Sequence, residues 1–227
     1  MKKNRDFEFC EVESSHHLIY NKETKLISEA TLTNFLRNLK YRILYKKHKD
    51  SSIRAEYAVF AEVQRILAGA TFMRTYVPIA NDRGIREIDV LSISKFGVYI
   101  FEVKHYTGAI QGKKEASSWN RQYQNGTTTQ FRNPQIQNDY HRDALRQFFH
   151  LNTVESYIVF THPQSTLKTD ACNTVLLKNL PKVLTKRKRI LSRRDMRRMK
   201  RSLVKYNRMS WIRQYQHRRY VKSMKQK

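Results

Sequence analysis

An α/β fold, a mixed central β-sheet flanked by helices, is what this sequence predicts, and three observations predict it. Four apolar, β-branched runs, residues 72–79, 88–94, 98–104 and 155–161, read as strands. Stretches with i, i+3, i+4, i+7 apolar spacing stand before, between and after them and read as helices. The second and third runs are joined by a turn too short for anything but an antiparallel pair, whereas a helix precedes the fourth, as a parallel crossover requires. The chain has 227 residues, 40% hydrophobic, which suits one globular domain with an N-terminal helix and a C-terminal extension. The expected divisions are 1–50, an N-terminal arm and helix; 51–180, the α/β domain; and 181–227, a basic, mostly helical extension.

Residues 1–27 are polar and irregular, and His16-His17 reads as a surface pair in that arm. From Ser28, a candidate N-cap, Leu32, Phe35, Leu36, Leu39 and Ile43 share one helical face and offer a packing, partner or homo-oligomer surface. A second helix spans about 53–67 and stops at Gly69. Glu56 lies on its apolar stripe with Val59, Phe60, Val63 and Leu67, so a carboxylate faces the core. It is either a third acidic site residue or a helix-start Glu complementing the dipole.

The stretch 87–104 carries the chemistry. Asp89, Glu102 and Lys104 are set among Val, Ile, Leu, Phe and Tyr, where an uncompensated charge costs several kcal/mol. If Ser94-Lys95-Phe96-Gly97 is a four-residue turn with Gly97 in the left-handed position, Ile93 faces Val98 and Asp89 falls opposite Glu102. Lys104 then shares the face of Glu102. Two carboxylates so close repel unless a cation joins them. Asp89, Glu102 and the Val103 carbonyl could ligate such a cation, with Lys104 orienting water or stabilising negative charge on a phosphate. The competing reading is a cross-strand salt bridge on an exposed edge.

Beyond the hairpin, 108–112 reads as an irregular glycine-punctuated stretch, followed by polar residues around Trp119 and a tight turn at Asn125-Gly126. Asn133 caps a helix with Pro134 at its first position; Ile136, Tyr140, Ala144 and Phe148 form its expected stripe. Gln137 and His141 are four apart beside that stripe, and His141 reads as a satisfied half-buried histidine before a general base. A short strand follows at 174–177.

From Lys178 the last fifty residues hold twenty Lys or Arg against one acid, Asp195, and carry most of the net charge of +26. Ser192 and Asp195 resemble a capping box. Arg193, Arg194, Arg197, Arg198, Lys200, Arg201 and Trp211 are the candidate nucleic-acid-binding residues, aromatics interleaved with cations. Anionic lipid headgroups and a solvated appendage are the competing readings. Cys10 and Cys172 are isolated, the opening residues hold no apolar signal core, and no run reaches the roughly 18 residues of a membrane span. A cytoplasmic protein is expected.

Glu56, Ile88-Asp89-Val90, Gly97 to Lys104, Gly108 to Gly112, Trp119 and Asn133-Pro134 with Gln137 together resemble the nuclease-related domain family, of the PD-(D/E)xK restriction-endonuclease-like superfamily. The resemblance covers about 53–180. It implies that Asp89 and Glu102 bind Mg²⁺ (or Mn²⁺), that Lys104 serves catalysis, that Glu56 completes the acidic cluster and that Gln137 supports the site. Ala55 stands where the family commonly has glycine, and His105 where a smaller polar residue is common. The expected function is a Mg²⁺-dependent nuclease acting on DNA rather than RNA, the alternative a non-catalytic nucleic-acid-binding module on the same fold.

Overall fold

The computed structural model describes residues 48–79, 84–184 and 188–225. The expected N-terminal arm and helix, with His16-His17, Cys10 and the homo-oligomer surface, lie outside the described residues.

Helix α1 (Ser51–Leu67) is capped by Asp50, whose carboxylate accepts from Ser52 N at 2.8 Å, and ends on Ala68 in the left-handed region, one residue before the expected Gly69. It buries Ala55, Glu56, Val59, Phe60, Val63 and Leu67, the stripe its spacing predicts. Strands β1 (Ala70–Pro78), β2 (Ile85–Ser94) and β3 (Gly97–Lys104) then run antiparallel. Later strands β7 (Glu155–Phe160) and β9 (Thr174–Leu176) add parallel to β3, giving a mixed sheet of order β1-β2-β3-β7-β9. Thus β3 is the central strand. Its residues 98–101 are at most 2% exposed, so the exposed-edge reading of its charges is overturned.

A second sheet, β6-β5-β4-β8, was not legible in the sequence. It is built from β4 (Gly108–Gly112), β5 (Ser118–Gln122), β6 (Thr128–Arg132) and β8 (Ser165–Thr169). These five-residue strands carry glycine and polar residues in place of alternating apolar ones, which is why 108–112 read as irregular. Ile110 and Trp119 from this sheet pack with Ile158 and Phe160 of the first. Asn125-Gly126 turns between β5 and β6, with Gly126 at φ 83°.

Helix α2 (Pro134–Phe149) makes the crossover to β7 and starts on Asn133, as its residues predict. The Asn133 side chain accepts from Gln135 N at 2.8 Å and donates to the carbonyls of Ala116 and Lys114, tying the helix start to the small sheet. The expected stripe is corrected. Gln135, Asn138, His141, Ala144, Leu145 and Phe149 face inward, and Tyr140 is 49% exposed. Polar side chains occupy the sheet-facing side near the helix start, so hydrophobic spacing alone misplaced that side by about one residue.

The basic segment holds α3 (Leu180–Val183), α4 (Arg193–Tyr206) and α5 (Ser210–Lys225). Ser192 caps α4, accepting from Asp195 N at 3.1 Å. This segment is integral to the fold. Met199 and Leu203 of α4 are buried in the same core as Leu91, Ile93, Ile100 and Leu145. The Asn207 amide pairs with both backbone groups of Tyr76 at 2.8 and 3.0 Å, satisfying the open edge of β1. Ile190 N and Leu191 N both donate to the Lys95 carbonyl. A few apolar residues at helical spacing seat one face of α4 while its cations point outward; composition alone shows only the cations.

Candidate active site

The turn that decides the hairpin register has Lys95 and Phe96 at its tip. Ser94 pairs with Gly97 and Ile93 with Val98, and Gly97 adopts φ 136°. This is the expected register, and it holds as far as Val90 opposite Phe101. One step further, where Asp89 would face Glu102, the ladder ends and Asp89 Oδ2 accepts from Val103 N at 2.8 Å. The other neighbour of β2 is also interrupted there. Met73 pairs with Val90 and Thr75 with Ile88, but Arg74 between them sits at φ 46°. A non-glycine residue in that region is uncommon away from helix ends, and here it interrupts the β1–β2 ladder beside Asp89.

Arg74 reaches α1, where its Nε and Nη2 donate to the two carboxylate oxygens of Glu56 at 2.7 and 2.9 Å. This fork raises the Arg74 pKa above its ordinary value, the Glu56 hydrogen bond being the main cause. Glu56 is buried as predicted, but its carboxylate is already engaged.

At the end of β3 Glu102 is 2% exposed. Its Oε1 accepts from Lys104 Nζ at 2.5 Å, while Oε2 has no hydrogen-bond partner among the described residues. His141 Nδ1 lies 3.6 Å from Oε2, beyond hydrogen-bond length. Burial holds His141 down to about 3, with Arg86, Lys104 and His217 adding to it, so the imidazole is neutral at pH 7. It is buried, 4% exposed, where its position beside the stripe suggested a half-buried residue.

The two site acids are both pushed upward. Burial is the main cause for Asp89, reinforced by the charges of Glu102 and Glu56 and opposed by the Val103 N–H and Lys104. Burial likewise raises Glu102, against the pull of Lys104. For Lys104 burial acts downward, but Glu102's charge and hydrogen bond, with Asp89, outweigh it and raise the ammonium's pKa, so it stays protonated. Lys104 thus pairs directly with Glu102 and feels Asp89 only through its charge, and Glu102 Oε2 is left without a hydrogen-bond partner among the described residues. That orphaned oxygen and the all-oxygen donor set fit a hard cation. Among the described residues no three His, Cys, Asp or Glu side chains cluster closely enough to hold a metal ion, so any such cation would rest on two carboxylates supplemented by backbone and water.

Gln137 is half-buried on α2, one turn before His141, and no hydrogen bond joins it to Glu56, Asp89 or Glu102. Sequence reasoning missed Asn138, fully buried with both amide atoms unpaired among the described residues. Its spacing of three from His141 was the available signal. The candidate phosphate-gripping side chains do gather: Arg193, Arg194, Arg197, Arg198 and Arg201 line a groove of about 620 Å³ on α4. Lys200 lines a neighbouring one of about 590 Å³ with Arg197, Arg201, Lys205 and Arg208. Trp211, on α5, is 71% exposed.

No helix among the described residues is long and apolar enough to cross a membrane. Neither a curated protein nor a solved structure matches the chain. A family model does, that of the nuclease-related domain, over residues 51–161, which span α1, β1 to β3, three of the four strands of the small sheet (β4, β5 and β6), α2 and β7. Residues 51–161 thus match the nuclease-related domain family, which belongs to the restriction-endonuclease-like superfamily.

Proposed function

We propose that the protein is a Mg²⁺-dependent nuclease that hydrolyses phosphodiester bonds of DNA. The observation that supports this reading is that half-buried Asp89 accepts from Val103 N, next in the chain to buried Glu102, whose Oε1 takes the Lys104 ammonium and whose Oε2 is unpaired among the described residues. A pure binding module has no need of two like charges held away from water. Asp89, Glu102 and the Val103 carbonyl would hold Mg²⁺, or Mn²⁺ in its place, which supplies Lewis acidity and an acidified water when bound. Lys104, held protonated by Glu102, offers its ammonium to the negative charge that builds on the phosphate. Glu56 acts through Arg74 and through its negative field, because both its oxygens are occupied. Gln137 supports the site from α2. The arginine grooves of α4, with Lys200 and exposed Trp211, grip the backbone without reading sequence. The isolated cysteines suit a reducing, cytoplasmic setting.

One observation favours a second reading, a nucleic-acid-binding module that retains the fold without cutting: Glu56 is tied to Arg74 and no three-carboxylate cluster forms among the described residues. Purified protein incubated with duplex, single-stranded and branched DNA, in Mg²⁺ or EDTA, separates the two. Cleavage that needs Mg²⁺ and is lost in Asp89→Ala and Lys104→Ala, with DNA binding retained, supports the enzyme. Binding without cleavage of any substrate leaves the module.

A further inference from the structure

We infer that Arg86 is a phosphate-contacting residue at the margin of this site, held in position by a tyrosine from beyond the family-matched region; the inference rests on the nucleic-acid reading above. Arg86 stands near the start of β2, three residues before Asp89. Its guanidinium carbon lies 4.9 Å from the ring centroid of Tyr140 on α2 and 5.8 Å from that of Tyr220 on α5. Both distances are within the reach of a cation–π contact. Among the described residues the guanidinium makes no ion pair or hydrogen bond. Two aromatic faces from different helices therefore orient its plane and leave its edge, with five N–H donors in a fork, free for an anion.

The location ties this fork to the acids. Tyr140 immediately precedes His141, whose ring lies 3.6 Å from Glu102. Tyr220 is itself firmly seated. A Cβ at Gly84 would fall 2.6 Å from the Tyr220 ring, so the ring packs against bare backbone that only glycine provides. Nearly one turn earlier on α5, His217 Nδ1 meets the Ile85 carbonyl at 2.8 Å. The start of β2 and α5 are thus clamped together, and Arg86 projects from the clamp. A guanidinium so placed takes a non-bridging pair of phosphate oxygens side-on, as lysine could not. The ligand class is the phosphodiester backbone, read without regard to base.

The test is fluorescence anisotropy of the full chain with labelled single-stranded and duplex DNA in EDTA, over a salt series, for wild type, Arg86→Gln, Tyr220→Phe and Tyr220→Ala, with thermal melts alongside. Arg86→Gln is expected to bind several-fold more weakly and to lower the salt slope by about one. Tyr220→Phe keeps the ring face and is expected to match wild type, while Tyr220→Ala weakens binding as the fork is released. A folded Arg86→Gln with wild-type affinity and slope overturns this inference and leaves the nucleic-acid reading standing. A wild type that binds neither DNA overturns both. Should Arg86→Gln fail to fold, wild type is treated with phenylglyoxal with and without DNA and mapped by mass spectrometry. Protection of Arg86 by DNA supports the inference, and equal labelling refutes it.

Discussion

Asp89 shows how one side chain is placed by two interruptions in a sheet. It reaches Val103 N because the ladder on one side has ended and β1 on the other is bent at Arg74. Its raised pKa has a sign that can be tested. A carboxylate whose folded pKa lies above its unfolded one contributes stability that is fully present below the unfolded value, 3.8, and is lost as pH rises through the folded one. At neutral pH the metal-free protein therefore bears an ionised Asp89 at a cost, or keeps it protonated. Asp89→Asn should melt higher than wild type in EDTA at neutral pH, by about 2–4 °C for each kcal/mol recovered. Adding Mg²⁺ should raise the melting temperature of wild type and leave that of Asp89→Asn unmoved. His141 has the opposite sign. Its folded pKa is lowered to about 3 from 6.5, so its contribution is present above 6.5 and lost as pH falls from there towards 3. Urea midpoints over that range should fall on acidification in wild type and fall less in His141→Asn.

At the scale of elements, the hairpin of β2 and β3 and the helices on either side divide the work. The pair between α1 and β1 is the clearest energetic case. Arg74→Ala would leave Glu56, 7% exposed, as a buried carboxylate without its fork. Breaking a buried ion pair costs about 3–5 kcal/mol, and because the Arg74 side chain is 35% exposed the loss should be nearer 2 kcal/mol. Denaturant unfolding measures it, and Glu56→Gln with Arg74→Ala should recover part of it if the isolated charge is the cause. The elements whose apolar periodicity was clean, α1, β2, β3 and β7, were legible in the sequence, register included. The strands of the small sheet were not, because Gly-Ala-Ile-Gln-Gly and Thr-Thr-Gln-Phe-Arg carry no period-2 pattern. On α2 the helix was legible from Asn133-Pro134, but its inward face was not, since burial there follows the site's polar needs.

For the whole molecule, the basic segment is both core and surface. Because Leu203 is 1% exposed and Met199 3%, removing residues 188–227 uncovers the sheet. Such a truncation should unfold or aggregate and so says little about nucleic-acid binding. The informative variant is the triple change Arg194→Gln, Arg197→Gln, Arg201→Gln on the outer face of α4. It should keep the wild-type melting temperature while lowering the salt slope of DNA binding by about 2–3, near 0.9 for each phosphate no longer neutralised. Leu203→Ala, by contrast, should cost about 2–5 kcal/mol of stability in urea unfolding.

Much of this protein follows from the order of its residues alone: the mixed sheet, the hairpin register as far as Val90 and Phe101, Glu102 and Lys104 at the end of β3, and the charge excess. All are local or compositional, set by periodicity, turn chemistry and counting. Which lone pairs are taken and which are left open was decided only by tertiary packing. Glu56 meets Arg74, Glu102 keeps an oxygen unpaired among the described residues, and α4 sinks its narrow apolar stripe into the core. These outcomes turn on side chains brought together from distant parts of the chain, across a bent strand whose conformation no local pattern announces.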